Sequence, residues 1–158
     1  MRIIRKIKDL KYNIKYKFQK AKKGYCDEDL FCIHDWFINI FPKMLKEFAE
    51  HTVGSPMNEE ILLKEASNMP KLWIEEQKPI VDKLLDKYNC VFDLNDRYCC
   101  WLLIILRMKY CFEMCNEWNI NYKSYWENQE YEKINKKTKK YKNEAFYLFK
   151  KWFYALWW

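Results

Sequence analysis

Two histidines, seven cysteines and a lysine-aromatic face near the end of the chain are the groups whose types permit chemistry. Cys26, Cys32 and His34 lie close together, but Cys-x5-Cys-x-His is not a usual zinc spacing and no second ligand pair comes after it. With only His34 and His51 present, a histidine-rich metal centre is excluded. A cysteine nucleophile would have to borrow one of those two imidazoles as its base through a contact made by the fold. Cys111 and Cys115 stand one helical turn apart, and Cys99 and Cys100 are adjacent. In an apolar segment such thiols serve as small hydrophobes. Glu47, Glu50, Glu59 and Glu60 have the spacing of an ordinary helix surface. Gly24 and Gly54 are the only glycines, which rules out the usual phosphate-cradling loops. The expectation is a protein with no catalytic residues, no metal and no cofactor.

The terminal stretch YKNEAFYLFKKWFYALWW, residues 141–158, carries a different kind of signal. At 100° per residue, Ala145, Phe146, Leu148, Phe149, Trp152, Phe153, Leu156 and Trp157 cover one broad arc and read as core. Tyr147, Lys150, Lys151, Tyr154 and Trp158 fall on the opposite arc. Rings interleaved with cations on a wet face suit stacking plus charge, as in nucleotide binding. The same arrangement suits a protein partner, or tyrosines lying flat beside snorkelling lysines.

A second candidate surface opens the chain. Residues 1–23 hold ten Lys and Arg against one acid, Asp9, whereas the whole chain carries a formal charge of +7. Ile3, Ile7, Leu10, Ile14, Phe18 and Ala21 recur at spacings of three and four, one face of an α-helix, and Gly24 is a C-terminal stop. Arg5, Lys8, Tyr12, Lys15 and Tyr16 lie around the rest of the circumference. Such a helix docks on its own domain, on a membrane surface or along a nucleic-acid backbone.

The scarcity of glycine and the helical apolar periodicity predict an all-α bundle of about five to seven helices. Residues 1–24 are expected to form the basic amphipathic helix, and residues 25–158 a single helical domain. Pro42 should kink a helix or begin one, Asn58 should cap the next, and Pro70 should interrupt it. Pro79 should open the segment IVDKLLDKY, and Asp93 should cap the most hydrophobic helix, Tyr98 to Trp118. Ser124 and Glu127 have capping-box spacing ahead of a final helix beginning near Tyr125. The longest uncharged apolar run, Tyr98 to Leu106, is too short to span a bilayer. No secretory signal is evident at the start, and an odd cysteine count without regular spacing predicts free thiols in a reducing cytosol.

Three stretches together resemble a family of small proteins encoded by tailed bacteriophages and prophages. The first is DLFCIHDWFINIFPKMLKEFAEHTVGSP, with Asp29, Leu30, Pro42, Leu45, Phe48, Gly54 and Pro56. The second is Trp101, Ile104, Ile105, Met108, Phe112 and Glu113, and the third is EAFYLFKKWFYALWW. The chain departs from the family pattern at Ala145, usually Gly, and Trp158, usually Asp, and the stretch between Pro56 and Trp101 is expanded. The resemblance implies a phage origin, action in the host bacterium's cytoplasm and no catalytic residues. On that basis the leading expectation is a non-enzymatic counter-defence binder that sequesters a cyclic nucleotide signal or blocks a host defence protein, acting as a homo-oligomer. The alternatives are nucleic-acid or membrane-surface binding through residues 1–23, or a role as a virion component.

Overall fold

The computed structural model describes residues 2–26, 30, 33–120 and 131–157, with side chains described at 10, 12–26, 30, 33–115 and 134–156. Six α-helices and no strands occur among them: α1 (Arg2–Lys23), α2 (Ile33–His51), α3 (Glu59–Ser67), α4 (Lys71–Leu85), α5 (Arg97–Ile120) and α6 (Tyr131–Trp152). Short 3-10 turns come after α4 at Asp86–Tyr88 and after α6 at Phe153–Trp157. The chain divides into two compact units, Met1–Phe37 and Ile38–Trp158. The first unit therefore extends past Gly24 and takes in the start of α2.

Within the second unit, α5 is the central element. Residues 99–106, with 108, 111 and 112, are all buried, because this helix is apolar around its whole circumference. It packs against α6, α3 and α4. From α2, Phe41 meets Phe112 edge-on at 5.1 Å and Phe48 meets Trp101 at 6.4 Å. From α6, Trp152 lies 5.5 Å from Trp101.

Local signals set the helix ends. Gly24 adopts φ +80° and its N–H returns to the Lys20 carbonyl, closing α1. Asn58 caps α3, its Oδ1 accepting from the Ile61 N–H at 3.2 Å. Pro70 precedes α4, as expected. Helix α2 runs through Pro42, which is buried, so no new helix begins there. Two expectations are corrected. Helix α4 also runs through Pro79 instead of starting there. A proline inside a helix costs about 3 kcal/mol, but Trp73 and Ile74 before it and Val81, Leu84 and Leu85 after it are buried, so packing on both sides holds the helix together. Finally, α5 is capped by Asp96, whose carboxylate accepts from the Cys99 N–H at 2.7 Å. Asp93 makes the preceding turn by accepting from the Asn95 N–H. Ser124 and Glu127 lie outside the described residues.

Candidate functional site

The terminal helix has an inner face, a latched edge and a wet face. Ala145, Leu148 and Trp152 point inward and are buried, whereas Phe149 is half-buried. Phe146 and Phe153, expected in the core, remain 44% and 37% exposed. They sit at the margin of the apolar arc, and the 3-10 turn after Trp152 shifts the angular phase of residues 153–157.

Two charged latches fix α6 in place. Arg107, buried on α5, donates from Nε and Nη2 to the two carboxylate oxygens of Glu144 at 2.6 and 2.9 Å. Its guanidinium also lies over the Trp73 and Tyr110 rings, at 5.0 and 5.5 Å. Burial pulls its pKa down, but the hydrogen bond and charge of Glu144 outweigh this and hold it above the ordinary arginine value. The second latch joins α6 to α3: Lys151 donates to Glu65 and, at 3.2 Å, to the Tyr147 hydroxyl. The Tyr147 hydroxyl is itself 3.4 Å from the same Glu65 oxygen. Burial lowers the Lys151 pKa and Glu65 more than restores it, leaving it raised.

Of the five residues expected to form a ligand face, Tyr147 and Lys151 are thus gathered around Glu65. Lys150 and Tyr154 are exposed, Tyr154 by 86%, and Trp158 lies outside the described residues. A cavity of about 100 Å³ borders the latches, lined by Glu65, Arg107, Glu144 and Tyr147 among others. Another, of about 240 Å³, lies between α4 and the 89–96 segment, lined by Lys71, Ile74, Lys78, Phe92 and Leu94. Both are smaller than the roughly 300–1,000 Å³ usual for small-molecule sites.

On α1 the apolar stripe stands open to solvent: Leu10 and Ile14 are 61% exposed and Phe18 69%. Lys15 and Tyr12 are exposed and Tyr16 is partly covered, its ring 6.1 Å from that of Tyr12. Arg5 and Lys8 lie on the same helix, their side chains beyond those described.

The buried cysteines of α5 have little nucleophilic character. Burial pushes the Cys99 thiol up to about 11, and Cys100 and Cys111 up to about 12. Cys115 is raised in the same way, whereas Cys90 is exposed. His34 pairs with Asp35 at 3.1 Å, and His51 Nδ1 donates to the Glu47 carbonyl at 2.8 Å. Among the described residues no three His, Cys, Asp or Glu side chains gather where they would hold a metal ion. Among those residues, too, no helix is long and apolar enough to cross a membrane.

Sequence reasoning missed Arg107, Glu144 and Glu65. An isolated arginine inside an otherwise apolar run was the available signal, because a buried guanidinium requires a carboxylate partner. Comparison with protein-family models, with curated proteins and with solved structures returns no match for this chain.

Proposed function

We propose that the protein is a non-catalytic binding protein that attaches to an anionic lipid surface through α1. The observation that carries this reading is the exposure of Leu10, Ile14 and Phe18 along one face of a helix that bears ten cations in its 22 residues. A nucleic-acid backbone would satisfy the cations but leave the apolar stripe in water. A second copy of α1 would cover the stripe but set one strongly basic segment against another. A bilayer surface answers both demands: the stripe enters the acyl boundary while the lysines face the headgroups. At about 1.5 Å per residue the helix is roughly 33 Å long and lies in the plane of the interface. Each cation held near an anionic surface contributes about 1 kcal/mol, reduced by salt.

The resemblance to tailed-phage proteins supports the inner membrane surface of an infected bacterium as the setting. The nucleotide-sequestering alternative is less well supported by the geometry, because Tyr147 and Lys151 already engage Glu65. Co-sedimentation with phosphatidylcholine vesicles, with and without phosphatidylglycerol, tests the lipid reading. The full chain should sediment only with the anionic vesicles. Replacing Leu10, Ile14 and Phe18 together by serine should abolish this without altering the charge. Equal sedimentation of that variant would overturn the proposal.

A further inference from the structure

From the wet face of α6 we infer a second, separate site, a binding surface for single-stranded nucleic acid; it lies on another helix and does not depend on the lipid reading. Lys136, Lys139, Asn143, Phe146 and Lys150 recur at spacings of three, four, three and four, and all are exposed. They form one stripe, about 21 Å long at the α-helical rise. Lys140 and Lys142 flank it. Between residues 134 and 157 there are seven lysines and one acid, Glu144. That acid points inward, where Arg107 takes both its oxygens. Among the described residues none of Lys136, Lys139, Lys140, Lys142 and Lys150 pairs with a carboxylate. Among the described residues the stripe is therefore a row of positive charge without a carboxylate partner.

At its C-terminal end the row meets rings. Phe146 and Phe153 are each more than a third exposed, and Tyr154 protrudes almost fully with its ring 5.4 Å from that of Phe153. No Leu, Ile or Val occupies an exposed position between residues 134 and 156. This separates the face from an acyl-chain surface, which would draw on aliphatic side chains. Protruding rings give bases something to stack on, and the lysine row gives phosphates a track. Stacking needs bases that are not already stacked on neighbours, so a single strand fits the face and a duplex does not.

The test is fluorescence anisotropy of an end-labelled oligothymidylate titrated with the full chain over a series of salt concentrations. Single-strand affinity should fall with salt at a log–log slope of about −0.7 per phosphate contacted. Changing Lys136, Lys139, Lys140 and Lys142 together to Gln should reduce that slope by about 2.8. Tyr154→Ala should weaken binding roughly tenfold at an unchanged slope, while Tyr154→Phe, which keeps the ring, should bind as the parent does. No measurable binding would overturn the inference. So would equal affinity for a labelled duplex of the same length, or a loss produced by Lys15→Gln and Lys17→Gln on α1 but not by the α6 changes. Phosphatidylglycerol vesicles that depend on Lys136 to Lys142 for binding would reassign the face to lipid and overturn it as well.

Discussion

Helices α1 and α6 are written in nearly the same alphabet, lysines around an apolar stripe at helical spacing, yet the two stripes end in opposite places. In α6 the stripe is consumed by the fold: Ala145, Leu148 and Trp152 are buried, and Arg107 and Glu65 hold the charged margins. In α1 the stripe faces water at Leu10, Ile14 and Phe18. Periodicity tells which residues share a face and is silent about what that face meets. The difference lies in the partners. Helix α6 has α5, a mostly apolar helix that accepts a large aromatic surface, and it keeps Lys136, Lys139, Lys140, Lys142 and Lys150 as a display. Helix α1 exposes Lys15, Lys17 and Lys20 together with Leu10, Ile14 and Phe18, which is the combination an interface between water and lipid accepts.

The contrast can be broken most decisively at the seam of α6. Arg107→Ala leaves the Glu144 carboxylate without its partner, and Glu144→Ala leaves a buried guanidinium uncompensated. The latter should cost about 3–5 kcal/mol, read as a drop in urea midpoint, whereas the paired change Arg107→Met with Glu144→Leu should recover much of it. Leu148→Ala, which opens a cavity beside α5, should cost about 2–5 kcal/mol. Alkaline titration sharpens the comparison through the groups buried on α5. The raised thiols of Cys99, Cys100 and Cys111 keep their protons longer in the folded chain than in the unfolded one. Their contribution to stability is therefore complete below the unfolded thiol pKa of about 8.5 and is lost as pH climbs towards 11–12. Melting temperature should fall steadily through that window, and a thiol reagent at neutral pH should label Cys90 well before Cys99, Cys100 or Cys111. Glu65→Gln, which loosens a partly exposed pair, should cost about 1 kcal/mol or less. Smallest of all, Ile14→Ser on α1 should change stability by no more than about 0.5 kcal/mol while weakening vesicle binding.

The helical class, the central place of the 98–118 segment, the Gly24 stop and the Asn58 cap were legible in the sequence because each rests on local chemistry or on a long uniform pattern. Pro79 misled because its helix-breaking tendency is local, whereas Trp73, Ile74, Val81, Leu84 and Leu85 of the same helix are held by burial against distant parts of the fold. The capping residue shifted from Asp93 to Asp96 for a related reason: both are good caps, and only the depth to which Cys99 and Cys100 are drawn into the core selects the later one. Of the candidate ligand face, Lys150 and Tyr154 are where the helical wheel put them. Tyr147 and Lys151 are exposed in outline but committed to Glu65, a residue more than eighty positions away. No spacing rule reaches that far.

The Trp101–Trp152 pair also has an optical consequence. Two indoles 5.5 Å apart and tilted by 57°, both almost wholly shielded from water, couple their electronic transitions and emit at short wavelength. One belongs to α5 and the other to the last turn of α6, so the coupling exists only while the seam is closed. The near-ultraviolet circular dichroism and emission colour of the unlabelled chain thus contain a gauge of α6 docking, placed one helix face away from the lysine row.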